Sequence, residues 1–296
     1  MVRAAAHKAE PVEVSRDASV HELAHASLRS ALTQIRRNTP GARSEKQPDC
    51  VHQLRVGARR ARVMIKLFDE LIEPVQERAL ERDLRWIFRT LGELRDRDVL
   101  LARLSEQLGA SKLVNPLHVE LTRQRERASR AVTRALASKR YQRTVRTLGQ
   151  LERALRRPAE ASPAARKWAK KRVKKRLRAV LALREAVTGP DDEARHQLRK
   201  ELKKLRYTAE LVRGLWRPKR ARRYLDGLSD LQDALGALND AATGARLLDD
   251  AAQRLGAAGA QQREALLSEL DRLARAQLEQ LEPAFIAFEH TEPFWK

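Results

Sequence analysis

With 296 residues and a formal net charge of +22, the chain is long enough for one large domain or two of about 150 residues. Its 42% hydrophobic content supports a packed core and excludes disorder throughout, and its single cysteine excludes an internal disulfide or a cysteine-rich metal site. Self-repulsion on this scale points to a polyanionic partner: nucleic acid, an acidic membrane surface or a phosphate polymer.

Only 12 glycines occur, and a 3.6-residue periodicity runs from Ser19 to the end, so the chain reads as all-α. Residues 1–17 lack the apolar segment of a secretory leader and are expected to form a flexible tail. A first helix over 18–38 sets His21, His25, Arg29 and Arg36 near one face. "TPGARSEKQPD" (39–49) reads as a loop, with Asp49 as the cap of a helix over 50–72. A helix over 75–108 carries "LGELRDRDV", with Asp96 and Asp98. Asn115 and Pro116 open a helix over 115–155, and "RRPAEASP" (156–163) is the strongest linker. Ser162 and Pro163 restart a helix over 163–187, which packs nine Lys or Arg into residues 166–178. "TGPDDE" then precedes a helix over 193–216, followed by one over 219–255. "LGAAGAQQ" (255–262) separates it from the last, over 261–289. No run of eighteen apolar residues occurs, so the expectation is a soluble, cytoplasmic protein.

The second half repeats the first. A shift of 144 residues lays "HQLR" at His52 on "HQLR" at His196, and "LGELRD" (91–96) on "LGALND" (235–240). Across 52–98, 14 of 47 positions agree without a gap, against roughly four expected from this composition. The fold expected is two pseudo-symmetric four-helix bundles, 18–157 and 163–296, packed side by side.

The repeated helix presents an apolar seam of Leu54, Ala58, Ala61, Ile65, Phe68 and Ile72. Its second copy is Leu198, Leu202, Leu205, Ala209, Val212 and Trp216. Beside the first seam runs a basic row of His52, Arg55, Arg59, Arg62 and Lys66; beside the second runs His196, Arg199, Lys203 and Arg206, broken at Glu210. A solvated helix face mixes signs to gain i,i+4 pairs. A like-signed row written twice costs energy and points to an anion that neutralises it. The aspartates Asp96, Asp98 and Asp240 read as partners that hold a neighbouring arginine in place. His21 and His25 have helical spacing but no further ligands, so no metal or cofactor is expected. No phosphate-cradling glycine loop, nucleophile elbow or acidic two-metal cluster occurs, so the chain is not expected to be an enzyme.

These two motifs carry a resemblance. "VHQLRVGARRAR" (51–62), "HQLRKELKKLRY" (196–207), "LGELRDRDV" and the aromatic ending "EPFW" (292–295) resemble the conserved-histidine α-helical domain, CHAD, over about 18–296. The resemblance implies two four-helix bundles about a pseudo-twofold axis. It also implies binding of inorganic polyphosphate in a basic central cavity and association with polyphosphate granules. By position it implicates His52, Arg55, Arg59, Arg62, His196, Arg199, Lys203 and Arg206. Charge and periodicity add the neighbouring cations Arg29, Arg36, Arg60, Lys66, Arg172, Lys175, Arg176 and Lys200. No residues remain for the triphosphate-tunnel hydrolase domain to which relatives are fused, so a stand-alone binder is expected, with other granule proteins as further partners. Asn239 stands where the first half has Arg95, so the two halves are not equivalent. The rival reading is a nucleic-acid or general polyanion binder. Against it, aromatic residues are 4% of the chain and few lie in the basic helices, so stacking platforms are scarce.

Overall fold

The helix signals in the sequence are strong, and most of them act where they stand. The computed structural model describes residues 6–44, 47–108, 116–157, 162–189 and 191–296. Ten α-helices are found among them, and no strand beyond one isolated bridge. The helix α1, Val20–Arg43, opens on a reciprocal capping box. The Ser19 hydroxyl accepts from the Glu22 amide at 3.2 Å, and the Glu22 carboxylate accepts from the Ser19 amide at 2.7 Å. It runs through Pro40, five residues past the expected end. A proline this close to a helix C-terminus forfeits a single intrahelical bond.

The second helix, α2, spans Pro48–Leu67. Its cap is Gln47, with Pro48 at the first helical position, so Asp49 is not the cap. Asp49 lies in the first turn instead, where its charge still faces the positive end of the helix dipole. Next come α3, Pro74–Leu108, then α4, Pro116–Ala137, and α5, Lys139–Leu155. The last two were expected as one helix. Ser138 interrupts it by taking extended backbone and accepting from the Tyr141 amide, a fresh N-cap. The expected cap at Asn115 lies outside the described residues, as does half of the 156–163 linker.

The second half repeats the order with α6, Ala165–Leu181, α7, Asp192–Val212, and α8, Pro218–Leu255. It ends with α9, Ala257–Glu279, and α10, Leu281–Glu289. Asp191 caps α7 by accepting from the Glu193 amide at 2.9 Å. The break between α8 and α9 is sharper than the eight-residue separator read from sequence. It falls at Gly256, whose φ of 60° is a left-handed conformation that favours glycine.

Within each half, successive helices pack in order, and the broken fourth rod (α4 with α5, α9 with α10) returns onto the others. Between the halves, equivalent helices meet: α2 on α7, α3 on α8, α4 on α9 and α1 on α6. The entries to α1 and α6 are tied directly, with Val20 N donating to Pro163 O at 3.0 Å and Ala165 N to Ala18 O at 2.8 Å. The core does not split at the linker as two independent bundles would. One continuous apolar cluster takes Leu54 and Leu84 together with Leu198 and Leu228. A second joins Leu100, Leu104 and Leu117 to Leu247, Leu248 and Leu270.

The N-terminal stretch is not a loose tail over residues 6–17. Asn38 exchanges two hydrogen bonds with the His7 backbone, and Ser30 donates to the Glu10 carbonyl at 2.7 Å. Val12 is buried in the main core. At the other end, Phe294 and Trp295 make edge-to-face contacts with Tyr224, and Phe294 with Trp216. Phe294→Ala should therefore cost about 3–5 kcal/mol, read as a lower midpoint in urea unfolding. A change below about 1 kcal/mol would show that the C-terminal segment does not anchor the second half.

Candidate anion-binding site

The packing of α2 on α7 brings the two copies of "HQLR" to one place. Both seams are fully buried, so each helix is held in register, and the residues flanking the seams are forced to the margin between them. From α2 this margin receives His52, Arg55 and Arg59; from α7 it receives Arg199 and Lys203. Burial and the charges of Arg95, Arg59 and Arg55 lower the His52 pKa. Arg55 and Arg199 are held below the usual guanidinium range, chiefly by burial. Lys203 is the most affected. Burial first, then Arg199, Arg59 and Arg55, pull its ammonium from 10.5 down to about 7.

Two aromatic rings hold the guanidinium groups in position. Arg55 lies over Phe88 at 4.5 Å from the ring centre, and Arg59 over Tyr207 at 4.4 Å. Arg55 packs over Gly92, its Nε 3.6 Å from where a Cβ would stand, an ordinary contact distance. The Nε–H groups of Arg55, Arg59 and Arg199 are buried and donate to nothing in the protein, and His52 Nδ1 is equally unpartnered. A buried donor without an acceptor costs free energy, and three guanidinium donors at one interface make an unusual concentration of that cost. Each Nε–H forms, with a terminal N–H, the side-on fork that matches two oxygens of one phosphate or carboxylate.

Carboxylates limit the repulsion without closing the site. Asp96 on α3 and Asp240 on α8, equivalent in the repeat, both attract Arg199, and Asp96 attracts Arg55. Burial and the Asp240 charge raise the Asp96 pKa, partly offset by Arg55. Two of the three aspartates also accept from arginines of neighbouring helices: Asp240 from Arg103 at 3.2 Å and Asp98 from Arg125 at 2.8 Å.

The rest of the predicted basic row lies elsewhere. Arg62 is forked onto Glu81 of α3 at 2.8 and 3.3 Å, and exposed Lys66 lies 3.7 Å from the same carboxylate. Arg206 donates to Glu210 at 2.9 Å and to Gln232 at 3.0 Å. Arg60 turns the other way, onto Ser30 and Gln34 of α1. Exposed Lys200 lies 3.6 Å from Glu193, and Arg172 pairs with Glu70 while covering Trp168. The groups that most perturb Arg55, Arg199 and Lys203 come from α2, α3, α7 and α8. None comes from α6, where Lys175 is exposed and Arg176 half-buried, or from α1, where Arg29 and Arg36 are exposed. His196 is exposed on α7 and, with Arg199, lines a cleft of about 880 Å³ between α7, α8 and α9.

Sequence reasoning missed Phe88, the ring under Arg55, and gave Tyr207 no role. Tyr207 had a signal: it stands one turn beyond Lys203 on the same row. On α1, His21 pairs with Ser162 at 3.0 Å and His25 with Glu152 at 2.8 Å. Among the described residues no three His, Cys, Asp or Glu side chains come together as a metal site needs, and no helix is long and apolar enough to cross a membrane.

The depressed Lys203 pKa has a stability consequence. Its folded value lies below its unfolded one, so folding is fully favoured only above the unfolded pKa and loses stability as pH falls toward 7. Lys203→Met should stabilise the free protein by a few kcal/mol at pH 7, a gain that shrinks toward pH 9.5, read by thermal unfolding at both pH values. Equal or lower stability at pH 7 would show that the charge is not strained.

Comparison with known proteins agrees with this architecture. Residues 26–249 match the CHAD domain family. The crystal structure of the CHAD domain from the plant Ricinus communis is similar at a TM-score of 0.83 and 29% identity, covering 96% of this chain and 97% of that one. PptA from Streptomyces chartreusis shares the fold at a TM-score of 0.59 and 21% identity, covering 93% and 99%. No curated protein matches. With three quarters of its length matched, the chain belongs to the CHAD domain family.

Proposed function

We propose that the chain binds inorganic polyphosphate at the α2–α7 margin, without acting chemically on it. The observation that carries this reading is the convergence of Arg55, Arg59, Arg199 and Lys203 from both halves, with three guanidinium Nε–H groups left unpartnered. Polyphosphate is a flexible chain with about one negative charge per residue. It threads between two helices and offers a phosphoryl edge to each fork in turn. The arginines orient it; Lys203 adds compact charge. Released counterions supply much of the affinity, which falls steeply with salt. The family resemblance adds granule association, which would follow from polymer binding alone. A fluorescent fusion should concentrate on polyphosphate granules and disperse when Arg59 and Arg199 are changed to Ala.

Nucleic acid is disfavoured by a specific feature. The two aromatic rings at the site, Phe88 and Tyr207, each already carry a guanidinium over one face, Arg55 and Arg59, which leaves less ring for a base to stack on. In competition at 150 mM salt, long-chain polyphosphate should displace charge-matched single-stranded RNA and duplex DNA, and Arg59→Ala with Arg199→Ala should lose most of that preference. Equal competition by RNA would overturn the reading.

The pH dependence has a definite sign. A bound polyanion favours charged Lys203 and raises its pKa above about 7, so binding takes up a proton at neutral pH. Affinity should be nearly flat below pH 6.5 and fall between pH 7 and 9, by up to tenfold per unit. Lys203→Arg, always charged, should remove the fall. His52, lowered by burial and by three arginines, titrates below the usual histidine range and takes no part in the fall between pH 7 and 9.

A further inference from the structure

The helix α6 carries the densest positive charge in the chain. Its buried face is Ala165, Ala169, Val173 and Val180, which seats it on the core. Lys167, Lys171, Lys174 and Arg178 follow one another at steps of four, three and four residues. They therefore share a strip on the opposite side, about 16 Å long, with Lys175 at its border. All five are exposed. No acidic residue occurs over 161–184, and among the described residues no carboxylate pairs with any of the five. Arg172, which pairs with Glu70, lies off the strip.

Two comparisons within the molecule set this strip apart from a merely solvated helix face. Other exposed faces pair opposite charges at i,i+4 spacing: Arg130 lies 3.9 Å from Glu126, Arg246 3.6 Å from Asp250 and Arg275 3.0 Å from Asp271. The strip sets like charges at those spacings, which weakens a helix. The second comparison is with α1, the counterpart of α6 in the duplication. Laying the α6 seam on the buried Val20, Ala24, Leu28 and Ile35 of α1 puts the strip on Glu22, Ala26, Arg29 and Thr33, one acid and one base. The same place in the fold does without a basic strip, so packing does not require one.

We propose that the exposed strip of α6 is a second contact for polyphosphate, engaged by chains long enough to reach it from the α2–α7 margin. This rests on the reading of the margin as the polyphosphate site and adds a preference for chain length to it. Because α6 packs directly on α7, a chain held at the margin crosses two helix widths, about 20 Å, to reach the strip. Four of the five cations are lysines, compact charges on flexible stems that suit a mobile polymer. Other polyanions find less there. The ring of Trp168 is stacked on Phe68 at 4.9 Å and carries Arg172, which leaves little of it for a nucleobase. Leu181, at the end of the helix, is its one exposed large apolar side chain, too little to anchor a bilayer surface. Once a chain is held at the margin, its next segment meets the strip at high local concentration, and the two contacts reinforce each other. A chain too short to span both gains nothing.

The test compares tripolyphosphate, too short to span both contacts, with long-chain polyphosphate on the full chain at low salt. Lys167→Gln, Lys171→Gln, Lys174→Gln and Arg178→Gln together should weaken long-chain binding about tenfold or more and leave tripolyphosphate binding within about twofold. Long-chain affinity should also fall less steeply with salt in that variant. Lys167→Arg with Lys171→Arg and Lys174→Arg keeps the charge and should keep the long-chain affinity. Unchanged long-chain binding in the Gln variant would overturn the proposal, as would an equal loss of tripolyphosphate. An equal loss of charge-matched single-stranded RNA, or of phosphatidylserine vesicles, would make the strip a general anion surface and overturn its assignment to polyphosphate. Arg59→Ala with Arg199→Ala separates the two readings. If that variant loses both probes while the Gln variant loses neither, only the strip proposal fails. If the wild type binds neither probe, or the Arg59 and Arg199 variant keeps both, the reading of the margin fails.

Discussion

Everything about this site depends on forcing like charges together. Left to solvent, four cations would stay apart or find carboxylates. Here the cations flank two apolar seams whose twelve residues are all buried, and the seams are pressed against the core by α1, α3, α6 and α8. Moving the cations apart means unburying those seams, which costs far more than the repulsion. Burial of one leucine side chain alone is worth about 1.5–3 kcal/mol. The hydrophobic effect thus holds an electrostatic strain in place. The strain shows in Lys203, whose pKa is lowered by burial and then by Arg199, Arg59 and Arg55.

The duplication explains how such a site arises from an ordinary helix. One basic margin on one helix is a solvated face. Two copies related by 144 residues, packed α2 on α7, confront each other across a single interface. The copies are not identical, and the differences matter. Arg59 in the first copy is matched by Lys203 in the second, which makes Lys203 the one site cation able to lose a proton near neutral pH. Val63 is matched by Tyr207, which supplies a ring for Arg59. Arg95, near His52, is matched by Asn239, so the second histidine has no equivalent cation beside it.

How far the sequence was legible follows from the range of each interaction. Both seams were readable because helical periodicity is local, and every residue assigned to them is buried. The all-α class and most helix boundaries were readable for the same reason. Ser138 was not seen as a cap because the apolar pattern runs on through it. The basic row was readable as a row but not as a site. Arg62 leaves it for Glu81, nineteen residues away in the chain, and no periodicity reveals that pairing. Arg206 could have been read correctly, since Glu210 stands at i+4 and is its partner. Arg60 stands one residue, or about 100°, round from Arg59, which already placed it off the row. The Lys203 shift depends on arginines from two helices and could not be read from either alone.

The central claim is that the two halves build one shared anion site and not two. It is tested most directly by calorimetric titration of a short polyphosphate into wild type and two variants, Arg55→Ala with Arg59→Ala and Arg199→Ala with Lys203→Ala. The account predicts one site per chain in the wild type, with either variant losing most of the affinity, because each half holds the same ligand. Two sites per chain, with each variant retaining one at unchanged affinity, would contradict it.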